Sequence, residues 1–251
     1  ILAFTACKSD KSKDKNVENA IEEAIEVDEQ LVNNFNKAKQ VFYALPSPIE
    51  TLMLIKRSGA SYDEELLNPT ENLSNYNTTK SRALNLGIYS ADLSYSSLFD
   101  QTQTSIKYMS ASKRLADELG ILNAIDENTI SRLERNVNNR DSVMDILSDS
   151  FANSNTFLKE NDREETAALI IAGGWLEGLY IATQLAQTTE SNNELIDRII
   201  DQKISLETLL SLLNDFPEND DVNEVIKQFI QIKNVYDKIQ VVSSKVEPET
   251  D

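Results

Sequence analysis

The sequence predicts an all-α protein, a bundle of roughly eight helices packed around two apolar ones. Three observations carry that expectation. Apolar residues recur at spacings of three and four along most of the chain, and the period-2 alternation of half-buried strands is nearly absent. Only 6 Gly and 5 Pro interrupt 251 residues. Two stretches, 83–99 and 167–186, carry one charge each, Asp92 and Glu177, although the net charge of the chain is −18. A helix that is apolar on almost every side belongs at the centre of a bundle.

Composition also limits the chemistry. Asp plus Glu number 42 against 24 Lys plus Arg, and no basic patch interleaved with aromatics occurs. Such a surface repels phosphate backbones, so no nucleic-acid partner is expected. There is no His, which removes the usual general base, the commonest metal ligand and the usual haem ligand together. The lone Cys7 cannot form an internal disulfide or a Cys-rich zinc site. No dinucleotide, phosphate-loop, zinc-protease, CxxC or nucleophile-elbow pattern occurs. The expectation is a protein without catalytic residues, metal or cofactor.

Residues 1–7 read ILAFTAC, an apolar run with Ala6 before Cys7. This resembles the end of a bacterial lipoprotein signal peptide, with Phe4 where Leu is usual. The resemblance implies acylation of Cys7 and a membrane partner reached through that lipid; the alternative is a structural Cys buried in a helix. Residues 8–16 contain no apolar side chain and should form a flexible tether. In lipoproteins of the Bacteroidota, an acidic cluster after the Cys goes with export to the cell surface. Here Lys8, Lys11, Lys13 and Lys15 outnumber Asp10 and Asp14, which favours the periplasmic face of the outer membrane. The segments 43–62 and 83–95 are similar to helical lipoproteins of the same group, a resemblance that implies no activity.

From residue 17 to 245 a single all-α domain is expected. Apolar residues at 17, 21, 24, 31, 35, 38, 42 and 45 mark a long amphipathic helix, broken by Pro46 and Pro48. Ser47 can cap a second helix that ends at Gly59. Residues 61–78 are polar and Asn-rich, with room for one helical turn at 62–67. Thr78 or Thr79 caps the helix that runs to Phe99. The next spans 101–119 and stops at Gly120. Asp126 or Asn128 opens another, whose polar middle, 136–141, should bend or break it. Asp162 opens the apolar helix, and 195–213 and 222–242 are amphipathic helices around Pro217. Residues 246–251 form an acidic tail.

The segments beginning at Ala83 and Ala168 echo each other at a shift of 85 residues, aligning Asp92 with Glu177 and Tyr95 with Tyr180. A duplication would leave this mark, and so would two Ala-rich helices by coincidence. Small residues line both: Gly87, Ser90 and Ser94 on one, Gly174 and Gly178 on the other. These faces are expected to touch. A membrane span at 167–186 is the rival reading, made costly by Glu177 at mid-depth. Trp175, Tyr89, Tyr95, Tyr108 and Tyr180 read as core aromatics.

Asp92 and Glu177 are the only residues that suggest a site. Asp92 shares a narrow polar strip with Asn85, and Glu177 shares one with Gln184. A carboxylate on a buried helix must be paired, hydrogen-bonded or neutralised. Either each is tied to Lys, Arg or Tyr of a neighbouring helix or lies on a thin solvent-exposed edge, or the two line one polar cavity that holds a cation or a small basic ligand. Paired carboxylates also serve glycoside hydrolysis, but a single Trp is poor material for a sugar cleft. The expected function is a lipid-anchored, non-catalytic envelope protein that presents helical surface to other envelope proteins. The alternative is a small-ligand or cation module built on Asp92, Glu177, Asn85 and Gln184.

Overall fold

The computed structural model describes residues 60–122, 127–189 and 193–240. Cys7, the tether, the helices expected at 17–45 and 48–58 and the tail 246–251 lie outside the described residues. The fold is all-α, with no strand among the described residues. Its helices are α1 (Thr79–Leu98), α2 (Thr102–Glu118), α3 (Glu127–Asn136), α4 (Arg140–Glu160), α5 (Glu164–Thr188), α6 (Asn193–Leu213) and α7 (Asp220–Tyr236). Two short 3₁₀ helices, Glu64–Leu66 and Thr70–Asn75, precede them.

Local chemistry sets most boundaries. Thr78 Oγ1 accepts the N–H of Ser81 while Ser81 Oγ accepts the N–H of Thr78, a reciprocal capping box that starts α1. Gly120, at φ 70°, turns the chain out of α2. The polar stretch around residue 138 is a full break: Asn139 accepts the N–H of Ser142 and caps α4 anew. Asn219 does the same for α7 by accepting from Val222. Asp162 does not open α5. It turns the chain at φ 53°, and Arg163 takes the cap position and donates to the carbonyl of Leu119 at the end of α2.

α1 packs on α2, α4 and α5, and α5 packs on α1, α4 and α6, with α7 against α6. The α1–α5 contact is the closest. A Cβ on Gly173 would stand 1.9 Å from the carbonyl oxygen of Leu84, and one on Gly87 would stand 2.0 Å from that of Ile170. Only glycine lets the two backbones meet here. Gly174 sits beside the contact, its Cβ position 3.4 Å from the Gly87 carbonyl.

Gly178 is a correction to the sequence expectation. It is exposed, and nothing lies within 4 Å of its Cβ position. The crossing is centred on Gly173, not between Gly174 and Gly178. Five residues further along, the chain has turned about 140° away and risen roughly 7 Å past it. Tyr180 departs in the same way: it is 42 % exposed, whereas Tyr89, Tyr95, Tyr108 and Trp175 are buried. The echo between α1 and α5 therefore does not extend to environment, since Tyr95, aligned with Tyr180, is fully buried.

Among the described residues α5 alone is long and apolar enough to cross a membrane, with a mean hydropathy of 1.3 over its best window. In this fold 61 % of that window is buried by the neighbouring helices.

Candidate functional site

Asp92 and Glu177 come together at the α1–α5 contact, their carboxyl groups close enough to act on each other's ionisation. Asp92 is fully buried and Glu177 nearly so. No Lys or Arg is among the groups that act on either. Asp92 Oδ2 accepts the backbone N–H of Asn68 at 3.2 Å. Asp92 Oδ1 is buried and finds no donor if both groups are ionised. A proton shared with Glu177 would supply that donor, and burial favours one. Desolvation, then the Glu177 charge, raises the Asp92 pKa well above the ordinary carboxylate range, and the Asn68 N–H opposes the rise. Desolvation raises Glu177 too. The pair holds its protons as one coupled unit.

The other atoms of this cluster belong to residues 61–78, a stretch whose sequence is that of a polar connection. Asn68 is its hub. Its carbonyl accepts from the Tyr108 hydroxyl at 3.0 Å, and its side-chain amide donates to Tyr76 Oη and to Asn85 Oδ1. Next to it, the carbonyl of Pro69 accepts from Tyr89 Oη at 2.9 Å. Further back, Tyr95 Oη accepts the N–H of Asp63, and the Tyr95 ring stacks on Tyr62 at 5.3 Å. Tyr89 and Tyr108, 5.8 Å apart, complete an aromatic shelf under the segment. Burial raises the pKa of all three of these tyrosines, Tyr95 to about 12, so they remain neutral hydroxyls.

Of the residues singled out in the sequence, Asp92, Glu177 and Asn85 therefore share one network. Gln184 does not join it. It lies half-buried nearly two turns beyond Glu177. Asn68 and Tyr76 were missed. Their signal was the density of Asn in 68–77, which suits a segment that must satisfy its backbone by side-chain bonds.

Chemically, this arrangement favours protonation of a buried acid pair and fastens residues 60–78 to α1. It presents no nucleophile or general base on an open surface. No cluster of three or more metal-ligating side chains occurs among the described residues. No family model, curated protein or solved structure matches the chain.

Proposed function

We propose that the chain is a non-catalytic helical interaction subunit of the cell envelope, lipid-anchored through Cys7 at the periplasmic face of the outer membrane. One observation carries the reading. The polar groups with unusual chemistry are consumed inside the fold, while large apolar side chains remain outside, most of them on three successively packed helices. Leu176 and Tyr180 lie one turn apart on α5, Ile196 and Ile204 two turns apart on α6, and Val235 projects from α7. Ile204 is 66 % exposed and Val235 60 %. Apolar area held in water on an otherwise acidic surface marks a place where another protein or another part of the envelope is received.

The test is capture from detergent-solubilised envelopes with native protein and with Ile204→Glu. A partner retained by the native chain and lost from a variant of equal melting temperature supports the reading. Equal recovery by both removes this face from the interaction.

The unpartnered Asp92 Oδ1 favours one second reading, a small cation in place of the shared proton between Asp92 and Glu177. Melting at alkaline pH with and without Ca²⁺, Na⁺ or K⁺ separates the two. A cation bound there would raise the melting temperature in the native chain and have no effect in Asp92→Asn.

A further inference from the structure

A cleft of about 70 Å³ opens where the α3–α4 pair meets α1, α2 and α5. Its walls are almost wholly apolar and include Leu86, Leu93, Ile121, Leu133, Phe151 and Ile170. Serines also line it, but two have their hydroxyls occupied: Ser90 donates to the carbonyl of Leu86 and Ser150 to that of Ile146, each within its own helix. Two polar groups on α2 differ. Ser112 Oγ is buried with no hydrogen-bond partner. Lys113, the next residue, also lines the cleft, is exposed, and makes no ion pair among the described residues. Lys80, Lys107, Lys203 and Lys233 have acidic partners, and Lys227 and Lys238 make no ion pair among the described residues either, but neither of those two lines the cleft.

These features fit one class of ligand. Apolar walls with few polar groups between packed helices are the usual setting of a small-molecule site. No array of donors and acceptors is present for a sugar or a nucleotide. The space is several times what one water needs, enough for a run of methylenes and too small for the two chains of a phospholipid. An exposed, unpaired lysine lining an apolar cleft matches a single carboxylate. We propose that this cleft binds a free medium-chain fatty acid, its chain against Leu93, Leu133 and Ile170 and its carboxylate on Lys113. The site is separate from the apolar face on α5–α7, so the proposal does not depend on that face being an interface.

The whole-molecule field makes the test sharp. A net charge of −18 favours a cationic amphiphile everywhere on the surface, whereas Lys113 favours an anionic one at this cleft alone. Octanoate, octanol and octylammonium are titrated into the full chain by calorimetry, with ligand-observed NMR to report contact. Octanoate is expected to bind saturably and more tightly than the other two. Lys113→Glu, an exposed change that leaves the core intact, should weaken octanoate by about tenfold or more and turn the preference toward octylammonium. Lys107→Glu, which alters net charge equally but at a lysine already near Glu71, should leave octanoate binding in place. The proposal is overturned if the native chain prefers octylammonium, if Lys113→Glu and Lys107→Glu weaken octanoate alike, or if no saturable binding of octanoate is found.

Discussion

Three alanine substitutions within six residues of α5 should differ in sign. At Gly173 the added methyl carbon would lie 1.9 Å from the carbonyl oxygen of Leu84 and 2.7 Å from its carbon. Both are backbone atoms of α1 and cannot rotate aside. The helices must separate by more than an ångström, and the packing along the closest contact in the fold loosens with them. Overpacking typically costs about 1–3 kcal/mol and sometimes more, and a clash with backbone belongs at the upper end. At roughly 2–4 °C per kcal/mol for a chain of this size, the melting temperature should fall by about 6–12 °C. At Gly174 the nearest atom would be 3.4 Å away, so the methyl fits and the change should be close to neutral. At Gly178 nothing lies within 4 Å, and alanine gains up to about 1 kcal/mol of helix propensity, or a rise of about 2–4 °C. Gly87→Ala should resemble Gly173→Ala, and the double variant should cost less than the sum, because one separation of the helices serves both. Thermal melts followed by circular dichroism at constant pH provide the measurement. If Gly173→Ala and Gly178→Ala shift the melting temperature in the same direction, the placement of α1 on α5 is wrong.

Three further outcomes follow from the same geometry. The folded-state pKa values of Asp92 and Glu177 are raised, so the stability they contribute is complete below the unfolded carboxylate range, about pH 4, and is lost as pH rises through their folded values. Asp92→Asn, whose amide supplies Glu177 with a permanent donor while its oxygen keeps the Asn68 N–H, should flatten that decline; an unchanged slope between pH 5 and 8 would mean the pair is not its source. Tyr108→Phe leaves the Asn68 carbonyl without its donor and should cost about 1 kcal/mol, read as faster hydrogen exchange in residues 60–78. Cys7→Ala should release the protein from membranes, measured by fractionation with palmitate labelling; retention after a high-salt wash would point to α5 as the anchor.

The all-α class and the edges of most helices were legible in the sequence because short-range chemistry decides them. Thr78 is a cap readable from the sequence; Asn139 and Asn219 cap their helices by the same local chemistry, inside stretches that read only as a polar break and a Pro-containing separator. The meeting of Asp92 with Glu177 was legible only as one of two alternatives. A helical wheel shows that a carboxylate lies on a polar strip, not what faces it. Asn68 was not legible as the hub, because its bonds reach Tyr76, Asn85, Asp92 and Tyr108 across loops and helices, and nothing in a linear pattern selects those partners. Gly178 was misplaced for a related reason. Spacing fixes which residues share a face, but the crossing point along the helix depends on the partner, and a shift of one residue exchanges a required glycine for a free one.

That shift also bears on how α5 divides its work. Gly173 and Glu177, four residues apart, face α1 together, one for backbone approach and the other for the carboxyl pair. Leu176 and Tyr180, also four apart, occupy a different face and meet solvent. A helix needed only as core would have no reason to keep a leucine and a tyrosine outward, and a membrane span would have no use for an acid pair sealed by Asn68. The two faces are reconciled if the inner one fixes the bundle and the outer one is covered by a partner. Tyr180→Glu tests this directly. On an exposed face the substitution should leave the stability within about 0.5 kcal/mol of the native value while removing partner capture. A large loss of stability instead would show that Tyr180 is already packed against this chain, and that the outer face of α5 is core after all.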